Sequence, residues 1–267
     1  MYVKAKKALG QHFLKNKGIA ERIVSSLVFG KEETPLSKGV THKVLEIGPG
    51  TGVLTCLLLE REEIELTVVE IDKESIEYLR INYPQLTGRM VEGDFLKTEL
   101  ASLYSEDFYI IGNFPYNISS QIFFRILDYR DQIPEVVCMI QREVAIRLAS
   151  GPGNRDYGIL SVLLQAWYRV EYLFTVDEQQ FLPPPKVKSA VIRLTRNERL
   201  KIDCKEELFR KVVKATFNQR RKTIRNSIGQ LISKENAGIL PYAGMRPEQL
   251  SVEQFIELTR ALESILN

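Results

Sequence analysis

The sequence is poor in the residues that build cross-links and metal centres. It has three cysteines and two histidines in 267 residues. Cys56, Cys138 and Cys204 lie far apart in apolar or helical contexts, which excludes a disulfide framework and a zinc-ligand spacing. His12 and His42 alone do not furnish a histidine-based metal site. No apolar run approaches the roughly 20 residues needed to span a bilayer. The basic start, Met1-Tyr2-Val3-Lys4-Ala5-Lys6-Lys7, lacks the apolar core of a signal peptide, so cytoplasmic residence is expected. There is no internal repeat and no low-complexity tract, and nothing demands more than a monomer.

What is present is an ordinary globular composition, 44% hydrophobic and 27% charged. The length suits one large domain, or one large and one small. A net charge of +3 decides little, but its distribution does more. Arg210, Lys211, Lys214, Arg220, Arg221, Lys222 and Arg225 meet almost no acids. Such a cluster is either an electrostatic footprint for a polyanion or a solvated helix face.

Read along the chain, Leu9-Gly10-Gln11-His12-Phe13-Leu14 forms a short hook, and Asn16 caps a helix running to Leu27. Residues 29–41, with Gly30, Pro35 and Gly39, read as a loop. Val44-Leu45-Glu46-Ile47 reads as a strand, Gly48-Pro49-Gly50-Thr51-Gly52 as a turn, and Val53, Leu54, Leu57 and Leu58 as a helix face. Together they form the first βα unit of a nucleotide-binding sheet. Glu46, just before the turn, can orient the loop or meet a cationic ligand. The next strand ends on Glu70, where an acid can accept both ribose hydroxyls of NAD or of S-adenosylmethionine. The third ends at Gly93-Asp94-Phe95, where Asp94 can accept from an adenine amine and Phe95 can pack against the ring. Either acid could instead cap the helix that follows it.

The fourth strand, Phe108-Tyr109-Ile110-Ile111, stops at Gly112 and leads into Asn113-Phe114-Pro115-Tyr116-Asn117. Asn113 supplies a neutral acceptor, the carbonyl beside Pro115 a second one held by a rigid neighbour, and Tyr116 a stacking face. Two acceptors and a ring suit a flat amine such as a nucleobase NH2; the plain alternative is a tight turn. A fifth strand over residues 136–140 precedes a helix to Ala149, a loop at Gly151-Pro152-Gly153-Asn154, a helix over 160–166 and a strand over 168–175. Phe181-Leu182-Pro183-Pro184-Pro185-Lys186-Val187-Lys188-Ser189 is a stiff loop able to present Phe181 as a second stacking face, or simply a rigid connection to the strand at 190–194. From Lys205 onward the pattern is helical, with apolar sets at Leu208, Val212, Val213 and Phe217; at Ile224, Ile228, Leu231 and Ile232; and at Phe255, Ile256, Leu258 and Leu262. The fold class is therefore α/β: a Rossmann-like sheet with a small all-helical C-terminal domain, divided at about residue 200 into 1–200 and 201–267.

In this order and spacing, the hook, Glu46-Ile47-Gly48-Pro49-Gly50-Thr51-Gly52, Glu70, Gly93-Asp94, the 112–119 segment and the 181–191 segment resemble the ribosomal RNA adenine dimethyltransferases, above all those acting on small-subunit RNA. The resemblance runs from Lys6 through the helical tail. It implies S-adenosylmethionine as cofactor, held by His12, Leu14, Gly48, Glu70, Asp94 and Asn113 in residues 1–200. It implies N6,N6-dimethylation of two adjacent adenosines near the 3′ end of small-subunit ribosomal RNA, presented by that RNA or by the immature subunit, in ribosome biogenesis. Asn113, Phe114, Tyr116 and Phe181 would serve the target base. Arg220, Arg221, Lys222 and Arg225 of residues 201–267 would bind RNA. Two departures from the family pattern stand out. Phe114 occupies a position commonly Leu or Ile, and His12 one commonly Asn, which makes that hydrogen bond pH-sensitive. Alternatives are a large-subunit RNA adenine methyltransferase of the macrolide-resistance type, a non-catalytic RNA-binding assembly factor, and an NAD-dependent oxidoreductase. The last leaves the 112–117 segment and the basic tail without a use.

Overall fold

The computed structural model describes residues 3–29 and 40–266, so Gly30, Pro35 and Gly39 of the expected loop lie outside the described residues. The chain divides into two compact units, Met1–Ala145 with Val170–Arg196, and Ile146–Arg169 with Asn197–Asn267.

Among the described residues the chain has nine strands, all in the first unit except for the first two residues of β7: β1 (Phe13–Leu14), β2 (His42–Ile47), β3 (Ile64–Glu70), β4 (Met90–Glu92), β5 (Tyr109–Asn113), β6 (Glu135–Gln141), β7 (Tyr168–Val176), β8 (Phe181–Leu182) and β9 (Ser189–Arg196). Seven form one sheet in the order β4-β3-β2-β5-β6-β9-β7. From β4 to β6 the pairing is parallel, and β9 runs antiparallel to β6. The inner strands are continuous apolar runs, as a sheet covered on both faces requires. Val44, Leu45, Ile110, Ile111, Val136, Val137 and Met139 are all fully buried.

The sheet fixes where a ligand can sit. After β2 the chain first builds outward to β3 and β4, then returns to place β5 on β2's other side. The strand order reverses between β2 and β5, and open α/β sheets bind ligands beyond the carboxyl ends of strands at such a switch point. β5 also extends past the Gly112 stop expected from sequence. Gly112 and Asn113 remain in register with Cys138 and Met139, because β6 continues alongside them. Asn113 is thus held by the sheet itself.

Helix α1 (Lys17–Ser25) starts where Asn16 Oδ1 accepts from the Ile19 amide at 3.1 Å, as the capping signal predicts. Helix α2 (Thr55–Leu59) begins two residues later than the apolar spacing suggests. Positive φ angles at Gly48, Gly50 and Gly52 keep the chain in a turn until Thr55. Helix α3 (Lys73–Asn82) is capped by Asp72. The remaining two strands form a small ribbon: Phe13 pairs with Leu182 and Leu14 with Phe181. Nothing local in either segment announces that pairing.

The second unit packs the helices Ile159–Gln165, Glu206–Asn218 and Val252–Leu266 around Tyr157, Phe209, Phe217, Phe255 and Leu262. Phe217 stands between Tyr157 and Phe255, with ring centroids 6.0 and 5.7 Å away. The helix expected through Ile224, Ile228 and Leu231 is only one turn, Ile224–Ser227, and a separate helix follows at Lys234–Ile239. Gly229, which costs helix stability, falls at the break.

Candidate active site

The carboxyl ends of β2, β3, β4 and β5 and the N-terminal hook enclose a cleft with ≈ 930 Å³ of unfilled space, counting its open mouth. His12, Gly48, Glu70, Asp94, Asn113, Phe114 and Tyr116 all line it. Sequence reasoning named each of them.

Gly48 forms an open part of the wall, since a Cβ built there would meet nothing within 4 Å. Gly50 behaves differently. Its φ is +57°, and a Cβ would stand 2.7 Å from the Phe13 ring, so only glycine lets the turn close against the hook.

Glu70 is 4% exposed and does more than the expected ribose contact. Its Oε1 accepts from the Ile71 and Asp72 amides, each at 2.9 Å, and its Oε2 from the Gly50 amide at 3.0 Å. The carboxylate therefore ties the end of β3 to the Gly-rich turn. Only Oε2, with one bond made, keeps a free lone pair for a ligand hydroxyl. Burial pushes the Glu70 carboxyl up, against the opposing pull of the three amides. Glu46 lies deeper, 1% exposed, and accepts from Thr55 Oγ1 at 2.7 Å. Burial raises its carboxyl to about 8, so it is largely uncharged at neutral pH. Of the two roles open to Glu46, the structure realises the first: it anchors the start of α2 beneath the turn. Asp94 Oδ1 accepts from the Leu96 amide at 2.9 Å, while Oδ2 has no partner among the described residues.

Asn113 donates from Nδ2 to the His12 carbonyl at 2.8 Å. That bond assigns the amide's orientation and leaves Oδ1 as a free acceptor. The Phe114 carbonyl also meets no donor among the described residues. Two unpaired acceptors thus stand side by side at the end of β5. The Phe114 ring is 1% exposed and packs edge-on against Phe123 with centroids 5.9 Å apart. Its extra bulk over Leu is absorbed by the core. The Tyr116 hydroxyl is hydrogen-bonded to Ser189 Oγ, which fixes the ring, and the His12 ring lies 5.4 Å from it. His12 Nδ1 lies 2.8 Å from the Pro183 carbonyl.

Leu14 is 5% exposed; its side chain packs in the core behind the hook, and it lines a smaller cavity with Gly48 and Asn113. Phe181 is 1% exposed in the same cluster, because its strand pairs with β1, so its ring offers no open face for stacking. Arg220 is engaged within the second unit, donating to the Asn154 carbonyl at 3.2 Å with Glu248 3.9 Å away. Arg221, Lys222 and Arg225 are exposed. Sequence reasoning missed Asp72, a carboxylate 2% exposed that receives hydrogen bonds from Lys6, Gln11 and Ser75. Burial pushes its carboxyl up, but those donors outweigh burial and hold it below the ordinary range. The available signal was its place two residues after Glu70.

The cleft fits a nucleoside cofactor: an open glycine wall, one free carboxylate lone pair at the end of β3, and an unpaired carboxylate oxygen at the end of β4. The comparisons with known proteins agree. The sequence model of the family described as ribosomal RNA adenine dimethylase matches residues 2–263. A relative from Parabacteroides distasonis, named ribosomal RNA small subunit methyltransferase A, is 59% identical over 96% of this chain and 93% of its own length. One of the same name from Porphyromonas gingivalis (strain ATCC 33277) is 55% identical over 98% of this chain and 99% of its own. Among solved structures, a dimethyladenosine transferase from Plasmodium falciparum superposes with a TM-score of 0.73 at 24% identity, covering 92% of this chain and 96% of that one. The 23S rRNA methyltransferase ErmE superposes at 0.67 with 27% identity, over 94% and 99%. The fold is that of the Rossmann-like methyltransferases. With a match spanning both compact units, the chain belongs to the ribosomal RNA adenine dimethylase family.

Proposed function

We propose that this protein dimethylates N6 of two adjacent adenosines near the 3′ end of small-subunit ribosomal RNA, with the RNA or the immature subunit as substrate. It is an adenine N6,N6-dimethyltransferase, and S-adenosylmethionine is its cofactor. The observation that carries the reading is the pair of unpaired acceptors at the end of β5, Asn113 Oδ1 and the Phe114 carbonyl, on residues that line the cleft.

S-adenosylmethionine, when bound, supplies an electrophilic methyl group on a sulfonium. Glu70 Oε2 and Asp94 Oδ2 would hold its ribose and adenine, and Gly48 would let its backbone neighbours approach. The chain's remaining task is to make a poor nucleophile competent. The lone pair of an adenine amine is spread into the ring. Acceptors at Asn113 Oδ1 and the Phe114 carbonyl take its two N–H bonds and draw the nitrogen toward tetrahedral geometry, with its lone pair aimed at the methyl donor. Positioning of this kind needs no strong base. Tyr116, fixed through Ser189, gives the flipped base a stacking face, worth roughly 1–3 kcal/mol. The cationic product amine is acidic and releases its proton to water. In the second cycle the monomethyl amine has one N–H, so one acceptor must let go.

Arg221, Lys222 and Arg225 supply sequence-independent phosphate attraction from the second unit. The protein works as a cytoplasmic monomer in ribosome biogenesis; among the described residues no helix is long and apolar enough to cross a membrane. The 54–59% identities to small-subunit enzymes, against 27% to a 23S enzyme, favour small-subunit RNA as substrate. The intact acceptor pair argues against a purely structural assembly factor. Labelled methyl transfer to isolated small-subunit and large-subunit particles tests the reading. Label in the small-subunit RNA alone is expected, and label in large-subunit RNA would overturn it.

A further inference from the structure

Residues 6–12 are held at their two ends by different kinds of contact. After them, Phe13 and Leu14 pair with Leu182 and Phe181, and the Lys15 amide donates to the Gln180 carbonyl at 2.9 Å. Asn16 Nδ2 adds a bond to Gln180 Oε1 at 2.8 Å. Leu14 and Phe181 are buried, so this end is an apolar, sheet-paired anchor.

The other end is polar. Lys6 Nζ pairs with Asp72 Oδ1 and lies 3.1 Å from Glu74 Oε1. Gln11 Nε2 donates to Asp72 Oδ2 at 3.3 Å, and Gln11 Oε1 accepts from the Lys6 amide at 2.8 Å. Asp72 is almost wholly removed from water, so its charge depends on these partners, with Ser75 Oγ at 3.1 Å and the Glu74 amide at 3.4 Å. A buried carboxylate that loses its cation is left in an unfavourable state. Between the two anchors, Leu9, Gly10 and His12 wall the cleft, and Gln11 both lines it and reaches back to Asp72. Gly10 has φ +65°, and a Cβ there would stand 2.5 Å from Asn117 Oδ1, so the segment lies directly on the 113–117 loop. The segment also reaches both halves of the site. The His12 carbonyl orients Asn113, and the amide of Asp72 is held by Glu70.

We propose that residues 6–12 are a strap over the cofactor cleft, fixed at β1 and latched reversibly at Asp72, and that latching orients Asn113 for the target amine. Lys6 and Asp72 are positioning residues. Release of the latch opens a wall of the cleft for cofactor exchange. Closure returns the His12 carbonyl to Asn113 Nδ2, which frees Oδ1 for the substrate. Cofactor retention and acceptor geometry are thereby set by one movement. The inference rests on the cleft being the cofactor's site.

Lys6 does not line the cleft, and Asp72 also caps α3, so Lys6→Met is the informative variant. The Leu9, Gly10 and Gln11 amides donate to the Lys6 or Lys7 carbonyls, at 3.0, 3.0 and 3.4 Å, and report the latched strap by hydrogen exchange. In the unliganded protein, Lys6→Met is expected to speed exchange at residues 9–11 while α3 and β8 stay as in wild type. Dissociation of S-adenosylhomocysteine, followed by stopped flow, is expected to become about tenfold faster, the scale of one lost charge-assisted hydrogen bond. Lys6→Arg should restore both. Exchange at 9–11 and dissociation both within twofold of wild type would overturn the latch. A wild-type protein that fails to bind S-adenosylhomocysteine would instead strike the cofactor reading, and exchange in the unliganded protein would still decide the latch.

Discussion

Glu70→Gln separates the two duties of the acid at the end of β3. The substitution keeps the shape of the side chain. Its oxygen can still serve the Ile71 and Asp72 amides, both now at 2.9 Å from Oε1. The amide nitrogen then faces the Gly50 N–H, which sits 3.0 Å from Oε2, and two donors oppose one another in a buried place. Losing one hydrogen bond to a charged acceptor costs about 1.5–3 kcal/mol. The Gly-rich turn should loosen by that amount, visible as a lower urea midpoint with an unchanged m-value. The same atom carries the one lone pair free for a ribose hydroxyl. Calorimetric titration with S-adenosylhomocysteine, under conditions where the variant is fully folded, should therefore show affinity reduced by about 10- to 100-fold. If stability falls but affinity stays within twofold of wild type, Glu70 is a structural tie alone and the ribose contact is wrong.

Glu46 makes stability pH-dependent. Its carboxyl is raised to about 8 in the fold, above the unfolded value, so its contribution is full below the ordinary carboxylate range and is lost as pH rises toward 8. Glu46→Gln should gain on wild type across that window, by up to about 1.4 kcal/mol per pH unit; parallel urea profiles from pH 5 to 8.5 would contradict this. Neutralising Arg221, Lys222 and Arg225 together should weaken RNA binding and reduce the slope of log K against log salt by about 2–3. An unchanged slope removes the cluster from the RNA interface. Arg220→Ala should instead destabilise the second unit by about 1 kcal/mol through its lost bond to Asn154, with a smaller change in the salt slope, which salt-dependent RNA binding and urea unfolding together check.

Residues that end parallel strands were the most legible from sequence. A strand's period and its terminating Gly, Asn or acid are local signals, and Gly48, Glu70, Asp94 and Asn113 all arrive at one cleft because parallel strands share a carboxyl edge. Contacts between distant segments were not legible. β1 and β8 are two residues each, too short for an alternation pattern, and they meet across more than 160 residues. Their pairing buries Phe181, which the proline-rich loop had suggested as an exposed ring. Asp72 escaped notice because an acid at a helix start has an ordinary capping role. What marks it as special is burial and a lysine 66 positions away. Arg220 looked like its neighbours in sequence, and only its bond to Asn154 sets it apart.

The central claim is that Asn113 and the Phe114 carbonyl prepare an adenosine amine in small-subunit RNA for methyl transfer. Mass spectrometry of RNA from immature small subunits, incubated with S-adenosylmethionine and either wild-type protein or Asn113→Ala, tests it most directly. Wild type is expected to yield dimethyladenosine at two adjacent positions near the 3′ end, and Asn113→Ala to yield none while RNA binding largely survives. Dimethyladenosine formed by Asn113→Ala at a near wild-type rate would contradict the account.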